Sequence, residues 1–282
     1  MDWDSLGADW PHRNLSRFVE TRAARWHVQR GGAGPRMLLL HGAGASTHSW
    51  RGMLPLLLGH ADVLALDLPG HGFTKARSAS RSGLPRMAED IQALLDQEGF
   101  EPDTIVGHSA GAAIALQMAR SRPPARILGL NPALMPFQGV AGVLFPPLAK
   151  LLAFNPLTAQ IAARTATERS VRALLEGTGS HLDAEGQALY KRLISAPSHV
   201  DGALQMMARW QLEPLLEVLP GLALPVSFAI GSEDRTVPPE TTRRQAKRMP
   251  SAQIIEIPGE GHLMHETTPA PFAEMALGRS SE

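Results

Sequence analysis

The chain has no cysteine, which excludes disulfides, thiolate metal ligands and a cysteine nucleophile. It also lacks net charge. Its 27 Lys and Arg balance 27 Asp and Glu, and no basic stripe breaks that balance. No long-range field therefore draws the protein to nucleic acid, and none is expected as a partner. No segment has the ~20 uninterrupted apolar residues that a membrane-spanning helix needs. The nearest approach, residues 134–154, is broken by Pro136, Gly139, Gly142, Pro146 and Pro147 and carries Lys150. The opening residues, Met1 to Ser5, are acidic where a secretory signal is basic and then apolar, so a cytoplasmic location is the expectation. Neither an H-e-x-x-H metal site nor a G-x-x-x-x-G-K-[ST] phosphate loop occurs, so no metal or cofactor is expected and ATP hydrolysis is excluded.

What is present is apolar and regularly punctuated. Of the 282 residues 44% are hydrophobic and 19% charged, enough to bury a substantial core. Strand-like runs at 25–29, 37–40, 63–66, 104–106, 127–130, 226–230 and 253–257 alternate with helical patterns at 85–98, 110–120 and 238–248. Most of these strands lack polar alternation, which indicates a mainly parallel sheet covered by helices on both faces. The expected class is therefore α/β. The stretch 132–219 breaks the rhythm: it is helical in character, rich in Leu, Ala and Met, and has no convincing strand. The expected organisation is a core of residues 1–131 and 220–282, with 132–219 as a helical cap over the active edge of the sheet.

Gly107-His108-Ser109-Ala110-Gly111 matches the G-x-S-x-G nucleophile elbow, with the apolar strand before it and the small-residue helix after it that the motif requires. The helix starting there directs its N-terminal dipole at developing negative charge. His41-Gly42-Ala43-Gly44 follows directly on an earlier strand. A glycine-rich turn there can aim one backbone N–H into the site, to act with the N–H of the residue after the nucleophile. The expected oxyanion donors are Ala43 and Ala110.

A serine hydroxyl needs a base, and the chain has 11 histidines, so histidine alone selects nothing. In folds that carry this elbow the order along the chain is serine, acid, histidine. His262, just past the strand 253–257, satisfies that order. The acid belongs in the loop after strand 226–230, where Glu233 and Asp234 are available. Asp234 is preferred because Gly-x-x-Asp-x-x-Val-Pro places it just before the turn into the next helix. The other place for an acid, after strand 127–130, holds Asn131, which cannot carry the charge. Asp67, in Asp67-Leu68-Pro69-Gly70-His71-Gly72, precedes the serine and is given a scaffolding role; His108 is assigned to packing.

Taken together, these four elements resemble the α/β-hydrolase superfamily over about residues 18–277. A narrower set resembles the BchO group, the magnesium-chelatase accessory proteins of bacteriochlorophyll synthesis in phototrophic bacteria. It comprises Trp10-Pro11, Ser16 to Val19, Gly44 to Trp50, Gly107 to Ala113, Pro147 to Leu152 and Met206 to Trp210. The resemblance implies a role in a pigment pathway and an enzyme of that pathway as a partner, without fixing a reaction.

The run from Pro136 to Leu157 is strongly apolar, with only Lys150 charged. Its first reading is a cap packed on the sheet. A second is a large apolar pocket for a tetrapyrrole or long-chain ester, lined by Phe137, Phe145, Leu148, Met206, Met207 and Trp210. A third is contact with the periphery of the inner membrane, for which one lysine offers little attraction. The expected function is a carboxylic-ester hydrolase acting on an apolar substrate. The rivals are a non-catalytic porphyrin carrier or assembly factor for the chelatase step, and a hydrolase that cleaves carbon–carbon bonds with the same triad.

Overall fold

The computed structural model describes residues 1–135 and 156–279. Its strands are β1 (Ser16–Glu20), β2 (Ala24–Gly31), β3 (Arg36–Leu40), β4 (Asp62–Leu66), β5 (Lys75–Ala76), β6 (Thr104–His108), β7 (Arg126–Leu130), β8 (Val226–Gly231) and β9 (Ala252–Ile257). They form one sheet in the order β1-β2-β4-β3-β6-β7-β8-β9, with β5 paired to β2. The pairs β1–β2 and β2–β4 are antiparallel, and every pair from β4 through β3 to β9 is parallel. All seven expected strands form. β1 and β5 were not expected: β1 is a short edge strand with alternating exposure, and β5 is only two residues long.

Both faces of the sheet are buried, which is why its central strands read as unbroken apolar runs. Leu38 and Leu40 pack with Leu64, Leu66, Ile105 and Phe228 on one face, while Met37 and Leu39 pack with Val63, Ala65, Val106 and Ala229 on the other. Leu38, Leu39 and Leu40 have no exposed surface. Each such side chain contributes roughly 1.5–3 kcal/mol by leaving water. The first face is covered by α1 (Leu84–Gln97), which buries Met87, Ile91 and Leu94, and by α2 (Ala110–Ala119). The second face is covered by Trp50, Leu54 and Leu57 and, near the C-terminus, by a helix that contributes Phe272, Ala273 and Ala276.

Among the described residues the connection from β7 to β8 is helical, with α3 (Pro156–Thr165), α4 (Glu168–Glu176), α5 (Ala184–Ile194), α6 (Pro197–Arg209) and α7 (Glu213–Val218). Its sequence supplies the stops. Thr167 and Ser170 form a reciprocal capping box at the start of α4, Asp183 caps α5, and Pro197 occupies the first turn of α6. After β8 come α8 (Pro239–Ala246), β9 and α9 (Pro269–Ala276). The loops that follow β3, β6, β7, β8 and β9 all leave the C-terminal edge of the parallel strands, where such sheets place their ligands.

Candidate active site

Ser109 stands between β6 and α2 with φ 50° and ψ −113°, a conformation strained for a residue with a side chain. Its N–H donates to the Leu130 carbonyl at 2.9 Å, and its own carbonyl accepts from Ala112 and Ala133 at 3.2 and 3.0 Å. Three backbone bonds thus fix the strain in place. The flanking glycines are sterically required: a methyl group on Gly111 would lie 2.0 Å from the Leu40 carbonyl oxygen, and one on Gly107 would lie 2.5 Å from the Ala112 nitrogen.

The loop after β3 lies against this elbow. A methyl group on Gly42 would sit 3.1 Å from Ser109 Cβ and 2.8 Å from His108 Nδ1. The loop turns through Gly42 to Ala45, whose N–H donates to the Gly42 carbonyl at 3.2 Å, and Gly44 has the positive φ of 76° that favours glycine at the third position of a turn. Neither the Ala43 nor the Ala110 N–H has an acceptor among the described residues.

The loops after β8 and β9 bring Asp234 and His262 together. His262 Nδ1 donates to Asp234 Oδ2 at 2.7 Å, and both side chains are nearly buried. Asp234 Oδ1 accepts the N–H groups of Thr236 and Val237 at 2.7 and 2.8 Å, so the carboxylate cannot rotate away without losing both. An ionised carboxylate only accepts, so the ring proton belongs on Nδ1 and Nε2 is left with a free lone pair. The His262 ring lies against that of His108, the residue before the serine, with centroids 4.7 Å apart and planes tilted by 55°. Among the described residues the Ser109 hydroxyl makes no hydrogen bond, so no such bond joins the serine and the imidazole in this conformation.

Two residues that the sequence reading set aside hold His262. His108 Nε2 donates to the His262 carbonyl at 2.9 Å. Burial, together with the neighbouring His265 and His262 rings, keeps the His108 imidazole neutral and well below its usual range. Asn131 was noted only as an acid that is missing. Its Nδ2 donates to the Gly261 and His262 carbonyls, both at 3.0 Å, and its Oδ1 accepts the Gly231 N–H at 2.8 Å. Its φ of 43° is one that Asn tolerates better than most residues. Its position past the C-terminal end of β7 was the available signal. The helical connection reaches the same loops: the Thr178 carbonyl accepts from Arg235 and His262 N–H at 3.3 and 3.2 Å, and Ser180 Oγ accepts from Leu263 N–H at 2.8 Å.

Asp67 acts as a scaffold. It accepts from the N–H groups of Thr47 and Phe73 at 2.7 and 2.8 Å and from His27 Nδ1 at 2.8 Å. Of the six residues expected to line a pocket, Phe137, Phe145 and Leu148 lie outside the described residues. Met206 is buried in the main core, with Trp210 packed half-buried against the same core, and Met207 is also half-buried. Among the described residues no group of His, Asp and Glu is placed to hold a metal ion.

The sequence profile of the α/β-hydrolase fold matches residues 35–269. The chain belongs to the α/β-hydrolase fold family. Within that family it is 44% identical over 280 residues, 98% of each chain, to the magnesium-chelatase 30 kDa subunit of Rhodobacter capsulatus. It is 29% identical over 243 residues to the pimeloyl-[acyl-carrier protein] methyl ester esterase of Xanthomonas oryzae, covering 84% of this chain and 91% of that one. Solved structures of like fold include an α/β-hydrolase fold protein from Burkholderia ambifaria, with TM-score 0.78 and 22% identity over 94% of this chain and 98% of that one. The epoxide hydrolase CorEH is another, with TM-score 0.79 and 20% identity over 93% and 97% of the two chains. These two likenesses speak to the fold alone.

Proposed function

We propose that this α/β-hydrolase is a serine hydrolase that cleaves a carboxylic ester of an apolar substrate, with Ser109 as nucleophile, His262 as base and Asp234 as its orienting acid. The observation that carries this reading is the 2.7 Å bond from His262 Nδ1 to a carboxylate fixed by two backbone N–H groups. That bond leaves Nε2 as the basic atom, on a ring in tilted contact with His108 of the elbow.

The chemistry follows in two stages. His262 Nε2 takes the proton of Ser109 as Oγ attacks the ester carbonyl carbon, and the carbonyl oxygen becomes an oxyanion held by the N–H groups of Ala43 and Ala110. The C–O bond to the alcohol breaks, and His262 returns the proton to the leaving oxygen. Water then attacks the acyl-serine with His262 again as base, releasing the acid and restoring the serine. Each N–H in such a hole is worth roughly 2.7–4 kcal/mol of transition-state stabilisation. The helical connection, taken as 132–219, is proposed as a cap over this site.

The likeness to a magnesium-chelatase subunit supports a place in bacteriochlorophyll synthesis, with a tetrapyrrole ester as the apolar substrate and a pathway enzyme as a partner. The same likeness favours one rival, a non-catalytic porphyrin carrier or assembly factor. A fluorophosphonate probe separates them. Wild type should be labelled, Ser109→Ala should not, and Ser109→Ala should fail to restore pigment synthesis in a strain lacking the protein. Full rescue by Ser109→Ala would establish the carrier instead.

A further inference from the structure

The loop that presents Ala43 N–H is a four-residue turn, and what holds it still decides whether that N–H is preorganised. One side is fixed from within the core. His41 Nδ1 donates to the Gly42 carbonyl at 2.7 Å, and its Nε2 accepts the Leu68 N–H at 2.9 Å. The other side of the turn is the Gly44 carbonyl, and its partner comes from 155 residues away. His199 of α6 donates from Nε2 to that carbonyl at 3.1 Å, while its Nδ1 accepts the Gly72 N–H at 3.0 Å. The two bonds specify one tautomer of a neutral ring.

Three features show that this contact is built into the packing. His199 is 2% exposed, and both of its ring nitrogens are hydrogen-bonded to main-chain groups. It lies three residues before Gly202, on the same face of α6. A methyl group on Gly202 would stand 2.0 Å from the Gly70 carbonyl oxygen, so only glycine lets α6 approach the Pro69–Gly72 loop closely enough for His199 to reach Gly44. Burial is the main cause that lowers its pKa to about 4, so the ring keeps this donor–acceptor pattern at neutral pH.

We infer that His199 is a positioning residue that fixes the oxyanion turn from the helical connection, through its bond to the Gly44 carbonyl. This rests on the proposed ester hydrolysis for its catalytic consequence, but not for its structural one. An N–H that wanders by an ångström loses most of what it offers an oxyanion, because the stabilisation depends on donors already in place at 2.7–3.1 Å.

Two substitutions separate the two bonds of the ring. In His199→Gln the terminal amide nitrogen falls near the position of Nε2 and keeps the donor to Gly44. In His199→Asn the side-chain oxygen falls near Nδ1 and keeps the acceptor for Gly72 while the Gly44 bond is lost. With p-nitrophenyl butyrate as substrate, His199→Asn should lower kcat roughly ten- to a hundredfold with KM little changed, and His199→Gln should recover most of it. Amide hydrogen exchange of a peptide spanning 41–50 provides a readout that needs no turnover, and should quicken in His199→Asn but not in His199→Gln. Thermal unfolding of each variant confirms that it is folded. The inference is overturned if the folded Asn variant keeps wild-type kcat and exchange, if both variants lose activity equally, or if Gln loses it and Asn does not. Wild type that neither turns over nor takes the fluorophosphonate label would instead sink the hydrolase reading. Exchange alone would then decide whether His199 holds the turn.

Discussion

Replacing Asn131 by Asp exchanges an NH2 group for an oxygen and changes little else in size, yet it inverts the polarity of a buried junction. The wild-type amide donates to two carbonyls, of Gly261 and His262, and accepts from Gly231. An Asp keeps the acceptor for Gly231 but sets a second oxygen against two carbonyl oxygens. Two donated bonds, each worth ~1 kcal/mol net, are lost, and the uncompensated charge adds to the loss. The carboxyl can escape by binding a proton, which costs about 1.4 kcal/mol for each pH unit above its unfolded value near 3.9. Protonation therefore caps the charge penalty at about 4 kcal/mol at pH 7 and about 1.5 kcal/mol at pH 5. The sign follows from linkage: a carboxyl whose folded pKa is raised binds more protons in the native state, so the variant loses stability as pH rises. Urea unfolding of Asn131→Asp and wild type at both pH values should show the gap between them widening from pH 5 to pH 7. Under the proposed ester hydrolysis, kcat should fall with it as the His262 loop is pushed away. A gap that is equal at the two pH values, or larger at pH 5, would refute this account of Asn131.

Two further outcomes follow from the same geometry. Asp234→Asn keeps the shape and can still accept from Thr236 and Val237 N–H, but it no longer stabilises the charged imidazole, so kcat should fall about 10⁴-fold with the unfolding midpoint nearly unchanged; a fall below tenfold by steady-state assay would remove Asp234 from the triad. Acid stability is the second. The buried rings of His199 and His265, held neutral by desolvation, have pKa values lowered to about 4 and about 3, and those of His41, His48, His71 and His108 are lowered as well. Their stabilisation is present above the unfolded value of about 6.5 and is lost as pH falls, by about 3 kcal/mol for His199 alone. Glu266 acts in the opposite direction: burial outweighs Arg51 and pushes its pKa up to about 7, so its stabilisation is lost as pH rises through that value. Six imidazoles outweigh one carboxyl, so the urea midpoint should fall steadily from pH 6.5 to pH 4, and a flat profile would contradict the buried-neutral assignment.

The parts of the candidate site that were legible in the sequence are those whose proposed chemistry needs a particular residue type. Ser109 was marked by glycines that steric contact forces, and Asp234 and His262 by chain order and by their places after β8 and β9. The strands were legible because burial on both faces removes polar alternation. What stayed hidden is what acts through the main chain. Thr178 contributes a carbonyl, which any residue has, and the N–H groups it receives belong to Arg235 and His262. Asn131 was read by the charge it lacks, because nothing local shows that two carbonyls will face it from 130 residues away. His199 was one of 11 histidines, and its partners are a carbonyl and an N–H in loops far upstream.

These main-chain links bear on how a proposed cap at 132–219 could behave. The helical connection is tied to the loops of Asp234 and His262 by Thr178 and Ser180 and to the Gly42–Ala45 turn by His199. It is tied to the segment after His262 by Tyr190, whose hydroxyl donates to Glu266 Oε1 at 2.8 Å. Arg51 closes the last link, donating to Glu266 and to Asp183 at 2.8 Å each. Lifting residues 178–202 from the core would break all of these at once, at ~1 kcal/mol net for each neutral bond and more for the buried Arg51–Glu266 pair. It would also separate Gly202 from Gly70, whose backbones touch. The same motion would release the proposed acid, base and oxyanion turn together, so an opening that admitted substrate here would dismantle the groups proposed to act on it. Under the proposed reading, this part of the connection is therefore a fixed wall of the site that holds the catalytic loops in register, and it cannot also serve as the gate.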